Sequence, residues 1–143
     1  MRFIKRWGIR MEYLLDTHTL IWALCEPHKL SKEVQNIISN EDNNIFVSIA
    51  SLWEISIKNG KKPSAFPYTL SQIYNVLVSE TDFRLLSIHE TSLFKLAEII
   101  PNLSRNDPFD SILLATAEEE EIFLITHDQY LKDIGSKYVI GYW

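Results

Sequence analysis

The sequence predicts a three-layer α/β/α sandwich, in which a central, mostly parallel sheet of four to five strands carries helices on both faces. Three observations lead to it. Short apolar runs such as Tyr13-Leu14-Leu15 and Ile45-Phe46-Val47 lack polar alternation, as strands buried on both faces do. Amphipathic segments of helical period separate those runs, which implies parallel crossovers. At 143 residues the chain has the size of one domain. A chain of this size can bury about 68–70% of its unfolded surface, so a core is possible without disulfides or structural metals.

Element by element, Tyr13–Leu15 is a buried strand that ends at Asp16, and Thr17–Leu24 continues as a helix with Leu20, Ile21 and Leu24 on one side. Ser31 caps a helix over Lys32–Ser39, which the polar cluster Asn40–Asn44 ends. Ile45–Val47 is the second strand. Ser48 caps the following helix, and Gly60 is expected to close it after Asn59. Lys61–Pro67 reads as loop, Thr69 caps a helix to about Ser79, and Arg84–Ile88 is a third strand. His89–Ile100 is a helix stopped by Pro101. Asp107-Pro108 restarts a helix with a side-chain cap and a proline at its first position, and this helix runs to Glu121. Ile122–Ile125 is a fourth strand, Asp128–Ile134 a short helix and Tyr138–Ile140 a last short strand. No internal repeat or linker divides the chain.

Composition narrows the function classes. One cysteine, Cys25, excludes a disulfide framework and a cysteine-based zinc site, and His18, His28, His89 and His127 show no close pairing to replace one. No apolar stretch approaches the ~20 residues of a membrane span, and no secretory h-region follows the N-terminal charges, so a cytoplasmic protein is expected. The net charge of −5 argues at first sight against a nucleic-acid partner. The charge is unevenly placed: Arg2, Lys5, Arg6 and Arg10 fall in the first ten residues with no acid, which leaves a net of −9 from Met11 onward. Residues 1–10 therefore read as a basic extension or a misplaced start, and residues 11–143 as a single domain.

In parallel sheets of this kind a site lies beyond the carboxyl ends of the strands. Asp16 follows the first strand, Glu54 lies on the helix after the second, Asp110 is in the first turn of the Asp107 helix, and Asp128 follows the fourth strand. Each has a plain structural explanation. Asp16, Asp107 and Asp128 can cap helices, Asp110 can meet a helix dipole, and Glu54 can pair with Lys58 four residues on. These explanations leave unexplained why four carboxylates collect at one edge with Lys and Arg missing from their immediate neighbourhoods. Glu54 stands out, because its helix, Ile49–Ile57, is apolar nearly all round and should bury it. A divalent cation would remove the cost of burying a carboxylate among acids, and an all-carboxylate donor set selects Mg²⁺ or Mn²⁺ over Zn²⁺.

Leu14-Leu15-Asp16-Thr17-His18, Val47-Ser48 through Leu52-Trp53-Glu54-Ile55, Arg105 to Asp110 with Leu113 to Ala117, and Leu124 to Asp128 together resemble a PIN-domain ribonuclease. More narrowly they are similar to VapC-type toxins of bacterial type II toxin–antitoxin systems. The resemblance runs from Met11 to the C-terminus. It implies a PIN-like fold, one or two Mg²⁺ or Mn²⁺ ions held by Asp16, Glu54, Asp110 and Asp128, and endonucleolytic cleavage of RNA by water that the metal activates. Thr126 would stand close behind as a hydroxyl for a ligand water, with Asp107 as cap and support. Lys58, Lys61, Lys62 and Arg105 are the candidate substrate contacts at the rim, while His18 and His127 are expected to pack or face solvent. One departure is Asn106, where relatives more often carry a basic residue after His or Arg; it bears on substrate contacts and leaves the metal chemistry untouched.

The resemblance further implies a homodimer and a cognate antitoxin whose tail lies across the site. Trp22, Leu24 and Ile38 are the candidate interface residues, and Tyr142-Trp143 a candidate for docking back onto the domain. Two other readings compete. A haloacid-dehalogenase-like phosphotransferase also places an Asp after its first strand, but it needs a second Asp two residues later, where His18 stands here. A catalytically silent PIN-fold binding module would keep the fold without the reaction.

Overall fold

The parallel ladder grows outward from Glu12–Leu15, the strand whose residues are nearly all buried. The computed structural model describes residues 11–105 and 107–141, and the backbone alone of residues 4–5 and 8–9. Strands β1 (Ile4–Lys5) and β2 (Gly8–Ile9) form a small antiparallel pair of their own. The basic side chains of the first ten positions, Asn106, Tyr142 and Trp143 lie outside the described residues.

The main sheet contains β3 (Glu12–Leu15), β4 (Asn44–Ser48), β5 (Arg84–Leu86), β6 (Phe123–Ile125) and β7 (Val139–Ile140), in the order β5-β4-β3-β6-β7. Every pairing in it is parallel, as the unalternating apolar runs required. The crossovers are made by α1 (Thr17–Cys25), α2 (Lys32–Ser39), α3 (Ile49–Lys61), α4 (Leu70–Glu80), α5 (Glu90–Ile99), α6 (Pro108–Glu120) and α7 (Gln129–Asp133).

Strand alternation divides the core in two. Tyr13 and Leu15 of β3 and Ile45 and Val47 of β4 pack with Leu20, Ile21, Val34, Leu52, Ile55, Ile73 and Leu77 from α1 to α4. Leu14, one residue out of phase, joins Leu124 on the opposite face with Leu113 and Ala117 of α6 and Leu131 of α7. Two apolar layers on one sheet make the three-layer α/β/α architecture that the sequence predicts.

The helix starts follow local chemistry. Ser31 and Ser48 accept from the backbone N–H of Val34 and Ala50, and Thr69 with Gln72 forms a reciprocal capping box. Three of the boundaries that differ from expectation have a clear local cause. Gly60 does not close α3; the helix runs through it to Lys61, where the Lys62 N–H bonds to the Lys58 carbonyl. β5 stops at Leu86 and not Ile88, because its partner β4 ends at Ser48 opposite Leu86 and leaves no ladder beyond. β6 starts at Phe123, since the Ile122 N–H bonds back to Ala117 O around Glu121, which takes a left-handed φ of 55° at the end of α6. Nor is α3 buried all round: Trp53 is 55% exposed.

Candidate active site

Parallel register places the first acid. Leu15 pairs with Ile125, so the next residue of each strand, Asp16 and Thr126, emerge side by side at the carboxyl edge, with the Asp16 N–H on Ile125 O at 3.1 Å. Asp16 caps α1 through Oδ1, which accepts from the Thr19 N–H at 2.8 Å, and its Oδ2 accepts from the Thr126 hydroxyl at 2.5 Å. Asp16 as a whole is 5% exposed. Burial pushes its pKa up against the lowering effect of these hydrogen bonds. Thr126 Oγ1 also accepts the Asp128 N–H at 3.0 Å, so its hydroxyl ties two acids together.

Glu54 enters from α3 and is 5% exposed, so this part of the helix is buried as expected. Its Oε1 accepts from the Thr17 hydroxyl at 2.6 Å, and that hydroxyl stands 3.1 Å from Ser51 Oγ one turn earlier on α3. Its Oε2 meets Lys58 Nζ at 2.6 Å. The i,i+4 pair expected on a surface thus forms with its acidic end inside the protein.

Asp107 caps α6, accepting the N–H groups of Phe109 and Asp110 at 3.0 Å each, with Pro108 at the first position. That turn presents Asp110 to the cleft. Burial, and then the charge of Asp107, push the Asp110 carboxyl up to about 7; Asp128 and Asp16 add to the rise and Arg105 opposes it. Asp128 caps α7 through Oδ1 on the Tyr130 N–H at 2.8 Å. Its pKa is lowered despite a desolvation effect in the other direction, because Arg105 and the backbone donors favour the charged form.

The expectation that Lys and Arg are missing around the acids is corrected. Arg105 Nη2 lies 2.5 Å from Asp110 Oδ2 and 2.6 Å from Asp128 Oδ2, and Nη1 lies 3.3 Å from Asp128 Oδ1. Its guanidinium stacks over Tyr130 at 4.5 Å from the ring centroid. The Tyr130 hydroxyl accepts the backbone N–H groups of Ser104 at 2.9 Å and Arg105 at 3.1 Å, and so holds the loop in front of α6.

All four acids, with Asp107, Lys58 and Arg105, border one cleft of about 400 Å³. Lys61 and Lys62, at the end of α3, do not line it. Trp22 does, and it lies between His18 and His127 at ring-centroid distances of 5.9 and 5.5 Å. It is thus a wall of the site, while Leu24 and Ile38 pack against the core. Thr17, Ser51 and Tyr130 were not foreseen as site residues. Thr17 adjoins Asp16 and Ser51 is one turn before Glu54, so adjacency to an acid was the available signal for both.

The donor set fits a hard divalent cation in chemistry, being oxygen throughout, with Asp110 pushed up to about 7 first by burial and then by the neighbouring acids. Among the described residues no three carboxylates or imidazoles stand close enough to grip an ion together as they are arranged. Lys58 and Arg105 meanwhile supply the positive charge that these acids require.

The chain matches a known family. The PIN domain model matches residues 13–137, and the chain belongs to that family. No curated protein matches the sequence at a significant level. Among solved structures, the fold is similar to VapBC2 from Rickettsia felis bound to a DNA fragment from its promoter, with 18% identity over 92% of this chain and 98% of that one and a TM-score of 0.69. DNA-bound VapBC from Salmonella typhimurium gives 16% identity over 93% and 99% of the two chains and a TM-score of 0.66. VapC20 of Mycobacterium tuberculosis, a sarcin–ricin loop cleaving toxin, gives 14% identity over 86% and 95% and a TM-score of 0.56. No helix among the described residues is long and apolar enough to cross a membrane.

Proposed function

We propose that the protein is a VapC-type toxin: a cytoplasmic endoribonuclease dependent on Mg²⁺ or Mn²⁺, with residues 11–143 as its catalytic domain. The observation that carries this reading is the meeting of Asp16, Glu54, Asp110 and Asp128 in one cleft at the carboxyl edge of a parallel sheet. Asp16 and Glu54 would anchor the cation from buried, hydrogen-bonded positions, and Asp110 and Asp128 would complete its site. When bound, such an ion eases deprotonation of water and stabilises charge developing on phosphorus. Thr126 holds the Asp16 carboxylate in place, and Asp107 fixes the turn that aims Asp110. Lys58 and Arg105 are positioned at the cleft to meet phosphate oxygens.

The partner reading extends to a cognate antitoxin and a second copy of the chain. An apolar groove of about 540 Å³ between α3 and α4, lined by Ile49, Leu52, Trp53, Leu70 and Tyr74, supports docking of a protein segment. Exposed Leu93 and Phe94 on α5, the latter 72% exposed, support self-association.

Cleavage of RNA by purified protein with Mg²⁺ or Mn²⁺, compared with Asp110→Asn, tests the reading. Cleavage that requires the ion and is lost in the variant supports it. Activity that persists in EDTA and in a folded Asp110→Asn protein rejects it, and no cleavage of any RNA despite ion binding favours a silent binding module.

A further inference from the structure

Arg105 differs from an ordinary rim cation. One of its nitrogens bridges carboxylates from two separate elements, Asp110 on α6 and Asp128 at the start of α7, as a single ion would. The same guanidinium leaves its Nε buried with no hydrogen-bond partner among the described residues. An arginine in its only resting place would be expected to satisfy that donor. The backbone of residue 105 is fixed by Tyr130, yet the side chain is 39% exposed and so has a route outward that requires no movement of the loop.

We infer that Arg105 is a resident counter-ion standing where the divalent cation is to bind, and that the cation must displace it before Asp110 and Asp128 can act as ligands. The inference rests on the metal-nuclease reading above. The nitrogen that bridges Asp110 Oδ2 and Asp128 Oδ2 occupies the space between the two acids where a shared divalent ion would sit, and the two positive charges repel. Arg105 is thus a positioning and gating residue: it keeps the two acids together without metal and is released into the cleft, beside the phosphate, when metal enters.

Mn²⁺ titration of the full chain by calorimetry, wild type against Arg105→Gln, tests this, with circular dichroism to verify folding. Loss of the competing cation should tighten Mn²⁺ binding by about five- to tenfold. Equal or weaker binding in the folded variant overturns the inference and leaves the metal reading intact. Absence of Mn²⁺ binding in both proteins overturns the metal reading and the inference with it. A second measurement needs no variant: in wild-type protein the side-chain NMR signals of Arg105 should move as Mg²⁺ saturates the site. Signals that stay fixed at saturation show that the guanidinium is not displaced.

Discussion

The Thr126 hydroxyl donates to Asp16 Oδ2 at 2.5 Å, joining residues 110 positions apart in sequence that are neighbours in parallel register. The bond holds a carboxylate that is almost wholly buried. Thr126→Val keeps the shape and removes the donor, so the acid loses a partner it cannot replace with water. The expected cost is about 1–3 kcal/mol of stability, measurable by urea unfolding. An unchanged midpoint would show that the acid gains nothing from the hydroxyl.

Asp16→Asn separates charge from shape. Burial raises the Asp16 pKa above its unfolded value, so its contribution favours the native state at low pH and is lost as pH rises through the folded value. The amide carries no charge to bury. In metal-free buffer at pH 8 the variant should melt at least as high as wild type, while cleavage falls by at least about 100-fold, beyond the loss typical of outer partners of a metal site. A lower melting temperature with activity retained would reverse both expectations.

Much of this arrangement was legible in the sequence, for local reasons. Unalternating apolar runs mark Tyr13–Leu15 and Ile45–Val47 as buried strands, and a side-chain cap is a matter of a few residues, so Asp107-Pro108 and the Thr69 cap were readable. Asp16 and Asp128 were legible because each follows a strand end, Asp110 because it lies in the first turn of a capped helix, and Glu54 because the helix that carries it is mostly apolar. Arg105 was expected at the rim, but its pairing with the acids was not, because a long side chain on a loop reaches Asp128 across 23 residues, and no periodicity encodes that. The exposed side of α3 was not readable either: Ile49–Ile57 is apolar nearly all round, yet Trp53 faces a groove and not the core.

The pH dependence of cation binding should follow Asp110. Its carboxyl, pushed up to about 7, is largely protonated below that pH, and a proton competes with a metal for the same oxygens. Apparent Mg²⁺ affinity should therefore rise between pH 6 and about pH 8 and then level off. Metal-free stability moves the opposite way, since a raised carboxyl favours the native state below its unfolded pKa and loses that advantage as pH rises toward 7. Melting temperatures at pH 5.5 and 8, with and without Mg²⁺, check both signs. Affinity independent of pH would remove Asp110 from the ligand set.

Glu54 and Lys58 offer the last test, because their 2.6 Å pair joins a buried acid to a half-exposed base. An i,i+4 pair on a surface contributes about 0.3–0.5 kcal/mol, but here the lysine offsets the burial of a charge, so the coupling in a double-mutant cycle of Glu54→Gln and Lys58→Met should reach about 1 kcal/mol without metal. Lys58→Met alone leaves Glu54 with the Thr17 hydroxyl as its remaining partner. That variant should lose stability in EDTA and recover most of it in millimolar Mg²⁺, since a cation replaces the missing charge. Wild type should gain less from the same addition. Equal Mg²⁺ stabilisation of the two proteins would place the ion away from Glu54 and break the quartet.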